Sequence, residues 1–369
     1  MKKIMELLFS LIAISSIGAA LAFLLEVADR FIANYGDLHI LVNEERDLVV
    51  KGGMPLLSAL AQEGIFIPSA CGGRGTCAYC KLKVTEGGGP VLPTETPYLS
   101  EDEIVENVRL SCQVKVRNDL KIVIPEELFL IKEFTVRVSG ISDLTPEIKS
   151  LHLDILDPEG ISFKPGQYIQ LQVPKYKKIK EPEFRAYSIS SPAEEHKKLE
   201  LVITRVPDGT VSTYVHNYLK EGDKLKISGP YGDFFLRGSD RDILLIATGS
   251  GLAPILSILY QIAEEKIDRK TALFFGAKTT KDLYHYDELR ELEKKLPHFA
   301  FTPTLSRTVG EEQWAGEKGR VTGLVEKYLP KNSNTDVYIC GSPPMVDSCI
   351  ESLLKTGIPN ERIFFDKFE

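Results

Sequence analysis

Cys71, Cys77 and Cys80 follow one another as C-x5-C-x2-C, and 31 residues separate the third from Cys112. Three thiolates on one tight loop with a distant fourth match the plant-type [2Fe–2S] arrangement, with one residue more in the first gap than the C-x4-C form. Each iron needs two thiolates at tetrahedral angles. Gly72, Gly73 and Gly75 let the loop take positive φ and bring backbone N–H groups close to the sulfides, which side chains there would obstruct. A structural zinc site is the competing use of four cysteines, but zinc ribbons pair them two and two in short knuckles rather than three and one.

A second group of residues suits nucleotides. In Arg185-Ala186-Tyr187-Ser188, strand alternation puts Arg185 and Tyr187 on one side, a cation for a pyrophosphate and an aromatic face for a flat ring. Alone, the tetrad reads as readily as an exposed strand with a snorkelling arginine. Asp208-Gly209-Thr210-Val211-Ser212 precedes a helix-like stretch at residues 213–219 and offers N–H groups and a hydroxyl to a phosphate at a helix start. Gly249-Ser250-Gly251-Leu252-Ala253-Pro254 follows an apolar strand as G-x-G-x-x-P, a phosphate-approach turn that differs from G-x-G-x-x-G in its proline. Pro254 suits a first helical turn. Cys340-Gly341-Ser342-Pro343 ends another strand at the edge where open α/β sheets bind ligands; Cys340 is either a neighbour of the nicotinamide or a small buried hydrophobe. Lys278, Ser306 and Arg307 carry groups suited to a nucleotide 2′-phosphate, or are solvated loop residues.

These residues need three kinds of scaffold. Short strands at His39–Val42 and Leu48–Val50, a helix opened by Pro55, the cysteine loop, a strand from Lys81 and a strand bearing Cys112 form a β-grasp-sized unit. Strands at Phe134–Val138, Leu151–Ile155, Tyr168–Val173, Leu199–Thr204 and Lys224–Ile227, with Gly and Pro turns between them, predict an antiparallel β-barrel. From Asp242 apolar strands alternate with helices, which predicts an open parallel α/β sheet. The expected order is a membrane anchor helix over 1–34, a ferredoxin-like domain over 35–130, a flavin-binding barrel over 131–238 and a nucleotide-binding α/β domain over 239–369.

The bulk composition is that of a globular chain, with 369 residues, 43% hydrophobic and 26% charged. A net charge of −7 without a basic run argues against nucleic acid. Residues 7–25 are 19 positions without a charge, roughly 28 Å as a helix, and predict an uncleaved anchor rather than a signal peptide. Reduced pyridine nucleotide and thiolate chemistry place the domains on the cytoplasmic side of the inner membrane. The flanks, with Lys2 and Lys3 before the span and Glu26, Asp29 and Arg30 after it, point the other way.

R-x-Y-S, the G-x-x-S turn, Gly229-Pro230-Tyr231-Gly232, G-x-G-x-x-P, C-G-S-P and the terminal Asp366-Lys367-Phe368 together resemble the ferredoxin–NADP reductase superfamily. Anchor, ferredoxin and reductase in that order narrow it. Residues 64–94, Arg109-Leu110-Ser111-Cys112-Gln113-Val114 and residues 124–129 resemble the F subunits of the bacterial sodium-translocating NADH:quinone oxidoreductases, a likeness that covers nearly the whole chain. The resemblance implies FAD with Arg185 at its pyrophosphate, Tyr187 against the isoalloxazine, Ser188 near N5, and Gly209, Thr210, Val211 and Ser212 at the phosphates. It further implies that Gly249 through Pro254 hold NADH, with Cys340 and Gly341 nearby, and that Phe368 lies by the flavin. One departure stands out: only residues 174–184 separate Val173 from Arg185, where the family carries a longer insertion.

The expected route is NADH to FAD to [2Fe–2S] to a membrane partner, because a hydride carries two electrons and the cluster accepts one. Other membrane subunits of a quinone reductase, with ubiquinone as acceptor and sodium transport coupled, are the implied partners. A stand-alone reductase feeding an oxygenase or other acceptor protein, and a non-catalytic membrane-tethered electron carrier, are the alternative readings.

Overall fold

The computed structural model describes residues 12–24, 35–177, 179–308, 310 and 313–368. Helix α1 covers residues 12–24, and its apolar side chains, Ile14 and Phe23 among them, are exposed. No helix of the described residues is long and apolar enough to cross a membrane. The expected span at residues 7–25 lies partly outside the described residues. The chain divides into two compact units, one built from described residues up to Ile67 with Gly73–Leu130, the other from Pro68–Gly72 with the residues from Ile131 onward.

The first unit is a five-stranded mixed sheet of β1 (Asp37–Val42), β2 (Arg46–Lys51), β3 (Lys81–Glu86), β4 (Val108–Leu110) and β5 (Leu120–Val123) in the order β2-β1-β5-β3-β4. Left-handed backbone at Asn43 and Glu44 turns β1 into β2. Helix α2 (Leu56–Gln62) starts after Pro55, which stands at the cap rather than inside the first turn, and buries Leu56, Leu57, Ala59 and Leu60. Helix α3 (Glu101–Val105) is opened by a capping box: Ser100 Oγ accepts from the Glu103 N–H and the Glu103 carboxylate accepts from the Ser100 N–H. β4 is shorter than the sequence predicts, so Cys112 sits on the turn after the strand and not on it.

In the second unit, β6 (Lys132–Thr145), β7 (Ile148–Asp157), β8 (Tyr168–Val173), β9 (Glu183–Ser188), β10 (Lys198–Thr204) and β11 (Lys224–Tyr231) form an antiparallel sheet in the order β10-β7-β6-β11-β8-β9. A bridge from Ile189 to Leu201 joins the two edges and closes the barrel. Helix α4 (Thr210–Asn217) packs Val211 and Val215 into the barrel core beside Ile189 and Leu201.

The six remaining strands, β12 (Asp242–Thr248), β13 (Thr271–Ala277), β14 (Phe299–Leu305), β15 (Glu317–Lys318), β16 (Thr335–Gly341) and β17 (Ile363–Lys367), are all parallel in the order β15-β14-β13-β12-β16-β17. Alternate β12 residues serve two cores. Leu245 and Ala247 face the cluster that includes α5 (Leu252–Glu264) and Leu289 of α6 (Tyr286–Lys295). Leu244 and Ile246 face the cluster of α7 (Val321–Tyr328) and α8 (Pro343–Lys355). Burial on both faces is why these strands read as continuous apolar runs. Strand order reverses between β12 and β16, so the ligand crevice of this sheet lies where those two strands end.

Candidate functional site

In the first unit the backbone shapes the cysteine loop from Gly73 onward, the part that carries Cys77 and Cys80. Gly73 and Gly75 have φ of 83° and 78°, and a Cβ on Gly75 would fall 2.6 Å from Gln113 Nε2. Cys80 Sγ and Cys112 Sγ lie 3.4 Å apart. That is too far for a disulfide at about 2.05 Å and close to the roughly 3.8 Å between sulfurs sharing one tetrahedral ion at about 2.3 Å. Cys71, Cys80 and Cys112 are buried while Cys77 is half-buried. The Cys112 hydrogen bond and burial push the Cys80 thiol up; a bound metal reverses that cost by deprotonating the sulfur. Among the described residues no three metal-ligating side chains surround a single ion position, whereas each iron of a two-iron cluster asks the protein for two thiolates.

Two further groups suit sulfur ligands. Gln113 Nε2 donates to Cys112 Sγ at 3.6 Å while its Oε1 accepts from Thr94 Oγ1 at 3.0 Å. Ser111 Oγ is buried, has no hydrogen-bond partner at ordinary distance among the described residues, and favours the thiolate form of Cys80. Neither is distinguishable in the sequence from an ordinary polar residue beside a cysteine.

The loop's far flank is fixed by a buried ion pair. Glu95 is 0% exposed and Arg109 4%. Arg109 Nη2 donates to Glu95 Oε2 at 2.6 Å and its Nη1 to the carbonyls of Gly88 and Gly89 at 2.9 Å each. Glu95 also accepts from the N–H groups of Leu92 and Leu110 at 2.9 Å. Burial raises the carboxyl, but Arg109 and those two N–H groups together hold it below the usual range. The charge is thus fully satisfied, as a buried pair requires.

In the second unit the two flavin-type motifs meet through a residue outside both. Glu183 lies on the same side of β9 as Arg185 and Tyr187, and its Oε2 accepts from Arg185 Nη2 at 3.3 Å and from Thr210 Oγ1 at 2.6 Å. Gly209 caps α4, and a Cβ there would sit 2.6 Å from Ser212 Oγ. Helix α4 begins at Thr210, three residues earlier than the sequence predicts, so Thr210, Val211 and Ser212 are its first turn and their N–H groups are the unbonded ones. Val211 is buried in the barrel core, and the Ser212 hydroxyl accepts from the Val206 N–H at 3.2 Å. A ligand therefore meets these two through their backbone. Ser188 ends β9 and is buried; burial raises the Tyr187 hydroxyl. The rings of Tyr176, Tyr214 and Tyr218 cluster beside α4 with centroids 5.2 to 6.2 Å apart, an aromatic plate that no motif announces.

The nucleotide turn occupies the predicted crevice. Gly249 to Gly251 form one 3-10 turn after β12, and Pro254 is the third residue of α5. A Cβ on Gly251 would lie 2.3 Å from the Cys340 carbonyl oxygen, although its φ of −62° is ordinary. Glycine is needed there for closeness. Nothing lies within 4 Å of a Cβ on Gly249, which leaves that face of the turn open. Tyr284 Oη donates to the Gly249 carbonyl at 2.8 Å and pins the turn from below. Phe368 N–H donates to the Gly341 carbonyl at 2.9 Å, bringing the terminal aromatic to the end of β16. Cys340 is 0% exposed and packs in the core shared with Leu245 and Leu252, and burial raises its thiol. Thr204 Oγ1 and Ser250 Oγ, 2.8 Å apart, tie the barrel strand β10 to the nucleotide turn.

Three domain families match along the chain: a 2Fe-2S iron-sulfur cluster binding domain at residues 40–117, an oxidoreductase FAD-binding domain at 135–236 and an oxidoreductase NAD-binding domain at 245–351. The F subunit of the Na(+)-translocating NADH-quinone reductase of Neisseria meningitidis is 35% identical over 404 aligned positions, covering 99% of this chain and 100% of the relative. Its counterpart in Methylococcus capsulatus is 33% identical, covering 99% of both chains. Among solved structures, the Amycolatopsis cytochrome P450 reductase GcoB superposes with a TM-score of 0.72 at 27% identity over 90% of this chain and 98% of that one. The ferredoxin reductase in carbazole 1,9a-dioxygenase superposes with a TM-score of 0.69 at 25% identity, over 90% and 99%.

Proposed function

The chain belongs to the family of F subunits of the Na(+)-translocating NADH-quinone reductase, and from that membership we propose how its residues divide the work of an NADH-input electron-transfer subunit. It is an NADH-dependent oxidoreductase with FAD and a [2Fe–2S] cluster. FAD, when bound, takes the two electrons of a hydride together and passes them on singly, which a one-electron cluster requires. Cys71, Cys77, Cys80 and Cys112 would hold the cluster. Arg185, set by Glu183, and the first-turn N–H groups of α4 would take the FAD pyrophosphate, with Tyr187 against the flavin ring. Gly249 to Pro254 and Gly341 would seat NADH with Cys340 nearby, and Phe368 would lie by the flavin.

The observation that carries this reading is the Thr204 to Ser250 hydrogen bond. It fixes the nucleotide turn against the barrel, and hydride transfer demands that donor and acceptor rings meet within about 3 to 3.5 Å. The domain limits 35–130, 131–238 and 239–369 are part of the same proposal, as is anchoring through residues 7–25 with the domains in the cytoplasm beside other subunits of a membrane complex. Mixing the anaerobic protein with NADH should bleach flavin absorbance first and then bring up the paramagnetic signal of the reduced cluster. An NADH that bleaches neither would defeat the enzyme.

A second reading has support of its own. The likeness to an oxygenase-type and a P450 reductase, with only residues 174–184 between Val173 and Arg185, favours a reductase that feeds a separate acceptor protein. Co-purification with membrane subunits separates the two.

A further inference from the structure

Glu183 brings a negative charge to the place where binding a phosphate calls for positive ones. It stands on β9 opposite Val173 of β8, on the side of the strand that carries Arg185 and Tyr187. Its side chain is 30% exposed and that of Arg185 19%, so both charges are largely withdrawn from solvent.

Two donors suited to a phosphate are engaged by this carboxylate. The Thr210 hydroxyl has a single proton and gives it to Glu183 Oε2 at 2.6 Å, and Arg185 Nη2 donates to the same oxygen at 3.3 Å. Tyr176 Oη donates to the Thr210 carbonyl at 2.6 Å and holds that residue from its other side. The Glu183 charge reaches further: after burial and Tyr218, it is what raises the Tyr176 hydroxyl. Lys175, Lys177 and Lys180, on the connection from β8 to β9, are exposed, where water and salt screen them. A phosphate at the start of α4 therefore meets backbone N–H groups and a guanidinium whose charge a neighbouring carboxylate offsets.

Such a site discriminates among flavins by the charge on their phosphates. The pyrophosphate of FAD is a diester, with a single negative charge on each phosphorus. FMN ends in a phosphate monoester, which carries about −1.5 to −2 at pH 7 and three strong acceptor oxygens. Its extra charge and extra oxygen ask for a cation and a hydroxyl that Glu183 already engages, and the two anions repel at close range.

We propose that Glu183 sets the flavin specificity of this chain, admitting FAD and excluding FMN. The specificity rests on the FAD-binding reading above and adds to it the residue that rejects the shorter flavin nucleotide. Arg185 and the first turn of α4 supply the attraction that both nucleotides share, and Glu183 the repulsion that only FMN feels in full.

Fluorescence titration of the deflavinated full chain with FAD, FMN and riboflavin tests this without turnover. Glu183→Gln keeps an acceptor for the Thr210 hydroxyl and removes the charge. It should tighten FMN at least about tenfold and FAD by about threefold at most, and leave riboflavin, which has no phosphate, unchanged. Glu183→Ala should give the same ordering. An FMN-to-FAD affinity ratio that stays at the wild-type value in both variants, or a wild type that already binds FMN as tightly as FAD, overturns the proposal. Riboflavin lost from both variants would make Glu183 a structural residue of the pocket and overturn it too. If the wild type binds FAD and the ratio does not move, the specificity falls and the FAD reading stands; if the wild type binds no FAD, that reading itself fails.

Discussion

The cysteine loop and the nucleotide crevice are both built on glycine, for opposite reasons. Gly73 and Gly75 are held at positive φ, which side chains resist, whereas Gly251 has an ordinary φ but no space for a Cβ before the Cys340 carbonyl. The first site is a conformation that must be held in place, so a buried ion pair clamps its flank. The second is a gap between strand ends that a packed sheet already holds, and hydrogen bonds from Tyr284 and Thr204 pin its turn. Damage should therefore spread through the unit in the first case and stay local in the second.

Glu95→Ala gives the largest expected effect. It leaves Arg109 buried and unpaired, which costs about 3–5 kcal/mol. Thermal unfolding followed through cluster absorbance should show the loss while NADH still bleaches the flavin. The same pair sets a pH dependence. The folded Glu95 carboxyl lies below its ordinary 4.5, so its stabilisation is complete above that value and disappears as pH falls through the lower folded one. Acid titration should melt the first unit in that window in the wild type and lack the step in Glu95→Gln.

Gly251→Ala should act on the other side only. Overpacking against backbone costs about 1–3 kcal/mol, which weakens NADH roughly five- to 150-fold in a binding titration and leaves the cluster spectrum untouched. A variant that binds NADH normally would mean the close approach to Cys340 does not shape the crevice.

Gln113→Leu is the smallest expected change. Losing one hydrogen bond to the Cys112 sulfur, worth about 0.5–1.5 kcal/mol, should lower the cluster potential by roughly 20–60 mV in a redox titration. An unchanged potential would remove Gln113 from the ligand surroundings.

Much of this was legible in the chain. The β8 strand at Tyr168–Val173 lies where alternation predicts it, and the glycine turn follows β12 as the motif requires. Strand β14 was not visible, because Pro303 interrupts Phe299–Leu305 and demotes it. The fold tolerates this proline because β15 pairs only with Thr304 and Leu305, so Pro303 faces a ladder on one side alone. Glu183, Gln113, Ser111 and Tyr284 were invisible for another reason. Their importance lies in partners that tertiary packing supplies, and no local spacing encodes a bond such as that from Tyr284 to Gly249, 35 residues away.

The account turns on two sites that hand electrons from one to the other, and Cys77→Ala separates them. The anaerobic variant, mixed with NADH, should bleach its flavin at the wild-type rate and give no reduced-cluster paramagnetic signal. A normal cluster signal would take Cys77 out of the ligand set, and a flavin that NADH no longer reduces would contradict the independence of the two sites.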